Sequence, residues 1–541
     1  MSLAKINDTV AHSVLGRWFK LAGSGAKDER PNTRFTTELR AGLATFVTMA
    51  YIISVNAAIL GDSGGPCGCT SAPSTCLADP IYQSCLSDLR KDLITATASI
   101  AAISTICMGL FANLPIALAP GMGLNAYFTY QVVGFHGTGK VSYQTALAAV
   151  FIEGILFILL TVLGLRQVLA KAIPYSIKVA TGAGIGLFLA LIGLESSAGI
   201  GLITADPATV VGLGGCPPHL RDPDSGVCTG HRMEGGPTWL GILGFLIMAL
   251  LLSYRVKGSV LISIVFISAI SWFRSTPVTY FPYTDKGDAM FSYFKQVVDV
   301  PRLRLIGGVL DFGSFKGKEV WIALVTFLYV DILDCTGTLF SMAKFAGFMK
   351  PTGDFTSSTQ AFLTDASSIS IGALMGVSPV TAFIESGAGI TEGGKTGLTA
   401  VTTGLFFILS LFFAPIFASF PPWATGPALI IVGVMMSQEA FPRINWNYLP
   451  DAVPAFITVI MMPFSYSIAY GLIGGVCSYI IVNLLIFILK TVSGGKLVPA
   501  DVEKKERWGP KRKEELYPFW LKWFVKTGEG EKVEHDVVEV V

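Results

Sequence analysis

The chain carries a long succession of apolar runs, each of a length that can cross a bilayer or nearly do so. A transmembrane helix needs about 20 consecutive apolar residues. Only 14% of the 541 residues are charged, against about 25% in an average soluble domain, so polar residues could not cover this chain in water. The composition predicts an all-α polytopic membrane protein. We expect fourteen transmembrane segments, near residues 39–60, 93–112, 115–134, 143–164, 172–198, 237–253, 258–273, 319–343, 360–376, 378–391, 397–414, 422–437, 452–463 and 466–491.

The charge distribution indicates how the chain is oriented. Basic residues precede the first apolar run, from Arg17 to Arg34, and follow the last one, from Lys504 to Lys513. Cytosolic segments of membrane proteins are enriched in Lys and Arg, so we expect both termini in the cytosol. The expected location is the plasma membrane. No cleavable signal peptide is predicted, and the net charge of +2 gives no reason to expect nucleic acid as a partner.

Six of the nine cysteines lie in two loops that this topology places outside the cell. Disulfides persist in such an oxidising environment, so all six are disulfide candidates with a structural role. The first loop contains no histidine, which disfavours a zinc site. The pairing cannot be read from the sequence. The candidates are Cys67, Cys69, Cys76, Cys85, Cys216 and Cys228.

Short identical pieces recur in the same order in the two halves of the chain. Thr45-Phe46 recurs as Thr326-Phe327, and residues 180–182 recur as residues 424–426. Each copy holds seven predicted spans, so the second copy must be inverted in the membrane. Inverted repeats are typical of secondary transporters with a midplane site. The predicted divisions are an N-terminal segment 1–38, a first repeat 39–273, a connecting loop 274–318, a second repeat 319–491 and a C-terminal tail 492–541.

Two corresponding segments, 113–130 and 376–394, are interrupted by Gly and Pro. Each has a Pro, a short β-favouring stretch, a Gly and then a short helix. Extended backbone at membrane depth needs another strand or a cavity, so the two segments could pair and point both helix N-termini at one cavity. Such a pair marks the binding site in inverted-repeat transporters. The alternative is a kinked pair of helices packed through glycines.

Few acids fall within the predicted spans. Asp331 and Asp334 are three residues apart and share one helix face, and Glu385 lies in the second broken segment. A charge at the bilayer centre costs about 2.5–3.5 kcal/mol, and no Lys or Arg lies mid-span to offset it. We therefore expect these three acids to handle a proton rather than an anion. Glu153 and Glu195 also lie in spans, nearer to the ends, where a structural role is the simpler interpretation.

Three residues of the first broken segment suit a flat ligand. Asn125 has an amide that donates and accepts hydrogen bonds, and Tyr127 and Phe128 have rings that can stack on a ligand. Together with a carboxylate, they favour a planar heterocycle with ring N–H groups and exocyclic amines. The alternatives are a helix cap for Asn125 and ordinary core or lipid contacts for the two rings.

Four segments together resemble the AzgA-like purine permeases of the nucleobase–ascorbate transporter superfamily. They are residues 45–52 (TFVTMAYI), 120–128 (PGMGLNAYF), 330–337 (VDILDCTG) and 378–398. The resemblance implies fourteen spans in two inverted repeats, with a core domain that carries the substrate and a gate domain that forms a homodimer within the lipid. It implies import of adenine, guanine and hypoxanthine by proton symport, with the core moving against the gate and no cofactor besides the proton.

The resemblance also implies roles for individual residues. Asn125, Asp331 and Glu385 match purine-binding positions, and Asp334 matches an acid needed for binding and transport. We add Tyr127 to the expected substrate-binding residues, and we expect Glu385 to take part in proton coupling together with Asp334. The cysteine-bearing loop and the long 202–236 loop favour a eukaryotic member, and a plant one related to adenine, guanine and cytokinin carriers is our expectation.

Other classes of protein fit the sequence less well. An anion transporter of the sulfate or bicarbonate type would place a positive group where this chain has acids. A membrane enzyme or channel is disfavoured because the chain shows no catalytic motif or metal cluster. Residues 389–396 match the phosphate-loop pattern G-x-x-x-x-G-K-T, but that motif needs a preceding strand in a soluble α/β unit, whereas here it opens a predicted span.

Overall fold

The protein is mostly helical, with two pairs of very short strands. The computed structural model describes residues 3–68, 79–165, 174–195, 199–206, 209, 211–217, 220, 227–315, 317–350 and 354–505. The helices of the first half are α1 (Leu3–Ala11), α2 (Val14–Trp18), α3 (Phe35–Met49), α4 (Ile52–Gly61), α5 (Pro80–Cys107), α6 (Met122–Ala126), α7 (Tyr143–Val162), α8 (Tyr175–Leu194), α9 (Gly236–Ser253), α10 (Ser259–Ser271) and α11 (Asp285–Phe294).

The second half repeats this order of elements. Its helices are α12 (Lys318–Phe345), α13 (Ser358–Leu374), α14 (Ser386–Thr391), α15 (Gly397–Leu411), α16 (Ala414–Ala418), α17 (Pro422–Ala440), α18 (Leu449–Phe464) and α19 (Ile468–Val492). Within the described residues, eight helical segments are long and apolar enough to span a membrane, and α10, α15 and α18 are shorter apolar helices. The chain is therefore a multi-pass membrane protein, and the count of fourteen spans stays a prediction.

The helices divide into two bodies. Helices α3 to α7 and α12 to α15 pack mainly on one another and form the core. Helices α8 to α10 and α17 to α19 pack on one another and form the gate. Small residues let the gate helices approach closely: a Cβ on Gly433 would lie 2.3 Å from the carbonyl oxygen of Gly186. Each body combines elements of both repeats, as expected from an internal duplication.

The two broken segments meet in the middle of the core. Strand β1 (Leu118–Pro120) pairs antiparallel with β4 (Val380–Ala382), and Ala119 lies opposite Thr381. The pairing confirms that each interrupted segment finds its backbone partner in the other. Gly121 follows β1 at a position where a Cβ would lie 2.7 Å from Cγ2 of Thr381. A larger residue there would push the strands apart, so the close approach requires glycine.

The cysteine-bearing loops lie at one end of the molecule, which we name the disulfide end. Cys67 is bonded to Cys85, and Cys216 is bonded to Cys228. The first bond joins the segment after α4 to α5, and the second closes the loop between α8 and α9, which also holds the short pair β2 (Ile203–Thr204) and β3 (Gly212–Leu213). Cys69 and Cys76 lie outside the described residues.

Several element boundaries differ from the sequence-based expectation. The first span, Phe35–Gly61, contains a turn at Ala50 and Tyr51 that separates α3 from α4, although both residues keep right-handed helical backbone angles. Neither Pro nor Gly marks this turn. Helix α5 begins well before residue 93, because Asp79 caps it by accepting a hydrogen bond from the backbone N–H of Ile81. The connecting loop contains the amphipathic helix α11, which starts at the cap residue Thr284.

Candidate substrate site

A cavity of about 410 Å³ lies between the core and the gate. Its gate wall follows α8 from Tyr175 through Lys178 to Ile185, and it follows α17 from Val432 to Arg443 beyond the end of that helix. Tyr175 begins α8, whereas the other end of α8 leads into the disulfide-bonded loop. The mouth of the cavity is therefore at the end opposite the disulfides, and we name it the opening end.

The core wall of the cavity is built from the broken segments. Gly121 and Met122 come from the start of α6, and Phe383 and Glu385 come from the start of α14. Both short helices thus begin at the cavity wall. At the start of α14 the backbone N–H groups of residues 386–388 are already bonded to the carbonyl oxygens of residues 383–385, so the side chains rather than these N–H groups face a ligand. Asp334 of α12 lies on the same wall. We refer to Asp334 and Glu385 as the cavity acids.

Glu385 is held by a hydrogen bond from a distant part of the chain. The hydroxyl of Tyr51 donates to Oε1 of Glu385 at 2.8 Å. Tyr51 lies at the junction of α3 and α4, and its side chain is 1% exposed. The bond occupies one carboxylate oxygen, and the carboxyl group stays on the cavity wall. A carboxylate fixed in this way is prepared to accept a hydrogen bond from a ligand N–H group.

Three more acids lie in the core, and we name them the buried triad. Glu153 of α7, Asp331 of α12 and Asp365 of α13 are each 0% exposed. Within the described residues, none of their six carboxylate oxygens has a hydrogen bond of good geometry, although the hydroxyl of Thr381 lies beside Asp331 and the thiol of Cys335 lies beside Asp365. Asp331 interacts electrostatically with both Asp365 and Glu153, and also with Asp334. The triad is therefore a compact group of carboxyl groups from three helices, adjacent to the cavity acids.

The expected site residues separate into those on the cavity wall and those behind it. Glu385 and Asp334 line the cavity, whereas Asn125, Tyr127 and Asp331 do not. Asn125 is 0% exposed, and neither atom of its amide has a partner among the described residues. It does not act as a helix cap, because α6 has no side-chain cap bond.

The two aromatic residues of the first broken segment pack in the core. The ring of Tyr127 lies edge-on to Phe327 at 5.1 Å, and Phe128 lies edge-on to Tyr143 at 5.4 Å. In this conformation the rings of Tyr127 and Phe128 are not placed to stack on a ligand in the cavity.

Glu195 lies at the disulfide end, where its Oε2 accepts a hydrogen bond from the hydroxyl of Tyr466 at 2.8 Å.

Sequence reasoning missed Asp365 and Tyr51. Asp365 satisfied the criterion that identified the other acids, because it lies inside the predicted span 360–376. Tyr51 lies in one of the four motifs, but nothing in its neighbourhood in the sequence connects it to Glu385, which is 334 residues away. The acid was recoverable from the pattern of charges in apolar runs, whereas the tyrosine required the fold.

The phosphate-loop-like sequence binds a carboxylate of its own chain. Glu38 of α3 accepts hydrogen bonds from the backbone N–H groups of Lys395 and Thr396, both at 3.1 Å, and from the hydroxyl of Thr399 at 2.6 Å. The element before this loop is the helix α14 and not a strand. The anion position at the start of α15 is thus filled from within, which agrees with rejecting a nucleotide site.

Comparison with known proteins identifies the class of protein. A protein family described as "Permease family", the xanthine/uracil permeases, matches residues 37–215 and 234–474. The chain therefore belongs to this family of nucleobase permeases, and it is a transporter and not an enzyme.

The relatives are permeases and a pump. A protein of Schizosaccharomyces pombe described as a candidate xanthine/uracil permease is 52% identical over 96% of this chain and 83% of its own length. The efflux pump notK′ of Aspergillus versicolor is 51% identical over 98% of this chain and 92% of its length. The adenine permease AdeQ of Escherichia coli is 37% identical over 87% of this chain and 91% of its length. None of these three comes from a plant, so a plant source stays an expectation.

Solved structures share the fold at low identity. The transmembrane domain of the cyanobacterial bicarbonate transporter BicA covers 81% of this chain and 97% of that domain, with a TM-score of 0.51 and 16% identity. The anion transporter SLC26A9 covers 84% of this chain and 65% of that protein, with a TM-score of 0.54 and 12% identity. These similarities support the division into core and gate.

Proposed function

We propose that this permease carries purine nucleobases, namely adenine, guanine and hypoxanthine, together with protons. The observation that carries the proposal is Glu385, an acid on the cavity wall whose Oε1 is held by the hydroxyl of Tyr51. Purines present ring N–H groups and exocyclic amines, which match a carboxylate acceptor. The adenine permease AdeQ and the guanine/hypoxanthine permease PbuO of Bacillus subtilis, 36% identical to this chain, support the same substrate class.

The buried triad supports a proton as the coupling ion. Three negative charges in one apolar interior would repel one another strongly, and within the described residues no hydrogen bond of good geometry satisfies their oxygens. A proton neutralises one carboxyl group without needing any ligand geometry. Asp331 links this group to Asp334 on the cavity wall through their electrostatic interaction. Protonation of the triad and occupation of the cavity would thus influence each other.

The division into core and gate supports an elevator-type movement. The proposed substrate contacts at Glu385 and Asp334 belong to the core, and the opposite wall belongs to the gate. The core would shift against the gate and carry the site across the membrane. We further propose that the gate forms a homodimer, that the plasma membrane is the location, and that the opening end and both termini face the cytosol.

An anion substrate is the less favoured alternative. The two solved relatives are anion transporters, but at 16% and 12% identity they inform the fold alone. Sulfate or bicarbonate would meet Asp334 and Glu385 on the core wall, where like charge opposes binding. Lys178 and Arg443 lie on the gate wall near the mouth, and Arg443 already pairs with Glu439 at 2.8 Å.

The test of the substrate is uptake of radiolabelled adenine into cells that lack their own purine permeases. We expect saturable uptake that unlabelled purines suppress and sulfate does not. A cytokinin competitor measures how large an N6 substituent the cavity accepts. Preloaded cells measure export, the direction suggested by the name of the notK′ relative. Correctly localised protein that moves no adenine in either direction would contradict the purine proposal.

The test of the coupling ion uses the same cells. We expect a protonophore to abolish concentrative uptake, because the pH gradient drives it, and we expect uptake to persist when choline replaces sodium. Dependence on sodium together with indifference to the protonophore would contradict proton coupling.

A further inference from the structure

The first inference concerns Tyr51 and rests on the proposed purine site. Tyr51 lies on the cavity wall, and its hydroxyl donates a hydrogen bond to Glu385. Its phenol has a single proton to donate, and that proton is directed at Oε1. The tyrosine therefore restricts the rotation of the carboxylate, which lies on the cavity wall where a ligand can reach it. We propose that Tyr51 is the positioning residue that prepares Glu385 for the purine.

The experiment separates positioning from a structural role. Tyr51→Phe keeps the ring and removes the hydrogen bond, so we expect the KM for adenine uptake to rise about 3- to 10-fold while Vmax and the amount of protein in the membrane stay unchanged. The matched control is Tyr143→Phe, which removes the bond from a buried phenol to the carbonyl oxygen of Gly376, outside the cavity.

The outcomes distinguish this inference from the proposed function. Wild-type protein that neither transports nor binds adenine would contradict the purine site itself. Wild-type uptake with an unchanged KM in Tyr51→Phe would contradict the positioning role alone. An equal fall in Vmax and in the amount of protein for both phenylalanine variants would assign Tyr51 to the structure of the core.

The second inference concerns the disulfide end and does not depend on the substrate. Along α8, the cavity wall follows successive turns at Lys178, Gly182 and Ile185 and stops there. The next residue on that face, Phe188, is 0% exposed. Its ring lies edge-on to the ring of Tyr466 at 5.0 Å. Packed aromatic side chains therefore take the place of the cavity one turn beyond Ile185.

Tyr466 occupies an unusual backbone position. It lies in the short turn between α18 and α19 with a φ of 52°, in the left-handed region that favours glycine or asparagine. A bulky residue held there against its backbone preference points to a role for the side chain. The turn belongs to the gate, and the ring projects from it towards the core, where it lies edge-on to Tyr130 at 5.6 Å.

Each body anchors its own tyrosine through a carboxylate. The hydroxyl of Tyr130 donates to Oδ2 of Asp62 at 2.7 Å, and both residues belong to the core. The hydroxyl of Tyr466 donates to Oε2 of Glu195 at 2.8 Å, and both belong to the gate. Around these two tyrosines, the described contacts between the two bodies are the ring pair and a hydrogen bond from the side-chain amide of Gln131 to the carbonyl oxygen of Tyr466. Away from them the bodies also meet, for example where Lys257 pairs with Glu392.

This division of contacts suits a closure that opens repeatedly. The charge-assisted hydrogen bonds lie within each body and survive when the bodies part. The contacts broken at this point are a ring pair, worth little compared with a buried ion pair, and the hydrogen bond from the Gln131 amide. We infer that Tyr130 and Tyr466 close the cavity from the solvent at the disulfide end and separate when the cavity opens there.

The test measures access to the cavity from the disulfide end. Thr336 lines the cavity, so Thr336→Cys reports access through its rate of modification by an impermeant maleimide added on that side of reconstituted vesicles. The parent chain, with its own thiols, supplies the background. We expect Tyr466→Ala to accelerate modification about 10-fold, because it removes both ring contacts. Tyr470→Ala is the matched control, since that residue lies four positions after Tyr466, in the first turn of α19, and its ring is 60% exposed.

A milder variant keeps the test decisive if the alanine variant does not fold. Tyr466→Phe retains the ring and loses the bond to Glu195, so we expect an acceleration of about 2- to 3-fold. If the alanine variant folds and is modified at the wild-type rate, the proposed closure is overturned. If the alanine variant is absent from the membrane, modification of Tyr466→Phe at the wild-type rate overturns it. Equal acceleration by Tyr470→Ala would assign the effect to general loosening, which also overturns it.

Discussion

The cavity acids and the buried triad are neighbours in the core, yet their surroundings differ. Glu385 faces the cavity and has a phenol donor. Glu153, Asp331 and Asp365 do not line the cavity and, within the described residues, have no hydrogen bond of good geometry to their oxygens. A ligand with N–H groups can satisfy the cavity acids directly, whereas only a very small species such as a proton can reach the triad. The comparison indicates that the substrate binds at the cavity acids and that a proton neutralises charge at the buried triad, in two adjacent but separate sites.

The largest expected effect is the loss of transport when an acid of either set, the cavity acids or the buried triad, is replaced. Glu385→Gln removes the charge that a purine N–H group would meet, and Asp331→Asn removes the acid that joins the triad to Asp334. We expect each to abolish adenine uptake while the protein still reaches the membrane. A lost charge-assisted hydrogen bond costs about 2–3 kcal/mol, or roughly a 30- to 150-fold loss of affinity. Wild-type uptake by either variant would refute its place in the site.

A smaller effect separates the triad from the cavity acids. Asp365→Asn removes one acid of the triad and leaves the cavity wall intact, so we expect adenine exchange to continue and accumulation to stop. With one coupled proton, a pH difference of one unit drives about tenfold accumulation, and the variant should lose all of it. The measurement compares counterflow with gradient-driven uptake in the same vesicles.

The control for this variant is a buried acid elsewhere. Asp451 is 1% exposed in the gate and accepts a hydrogen bond from Asn445 at 3.1 Å. Asp451→Asn should leave the ratio of accumulation to exchange unchanged. If Asp365→Asn retained full accumulation, the triad would have no part in coupling, and the cavity acids alone would carry the proton.

The smallest expected effect concerns stability. A buried carboxyl group without a partner destabilises a fold by about 1–3 kcal/mol, so Glu153→Met should raise the midpoint of thermal unfolding in detergent. Glu385→Met should not raise it, because that change also removes the bond from Tyr51. A lower midpoint for Glu153→Met would mean that the triad stabilises the core, and the contrast between the two sets would then disappear.

Much of the fold followed from local sequence patterns, whereas the contacts between distant segments did not. The Pro and Gly residues around 115–121 and 379–389 predicted two short strands and two short helices, and the structure contains them. The turn at Tyr51 between α3 and α4 is marked by neither Pro nor Gly, since the residues around it are ordinary helix formers. The bonds Cys67–Cys85 and Cys216–Cys228 required the spatial structure, because spacing does not determine connectivity.

The candidate site was predictable to the extent that charge in an apolar run is informative. Asp331, Asp334 and Glu385 stood out for that reason, and Asp365 could have been included. Whether an acid of α12 or α13 faces a ligand depends on how each helix is rotated about its axis. The sequence of an apolar run without a polar face does not reveal that rotation. The structure separates Asp334 from Asp331, although the two are one helical turn apart.

The pairing of β1 with β4 has a consequence for biosynthesis. Leu118 pairs with Ala382, so about 260 residues must be translated after the first strand before its partner exists, which takes roughly 15–50 s at the usual elongation rates. During that interval the backbone of residues 118–120 has polar groups at membrane depth and no strand to bond to. The nascent first half therefore has to keep this segment near water or the insertion machinery, and a chain truncated before residue 380 would present it for degradation.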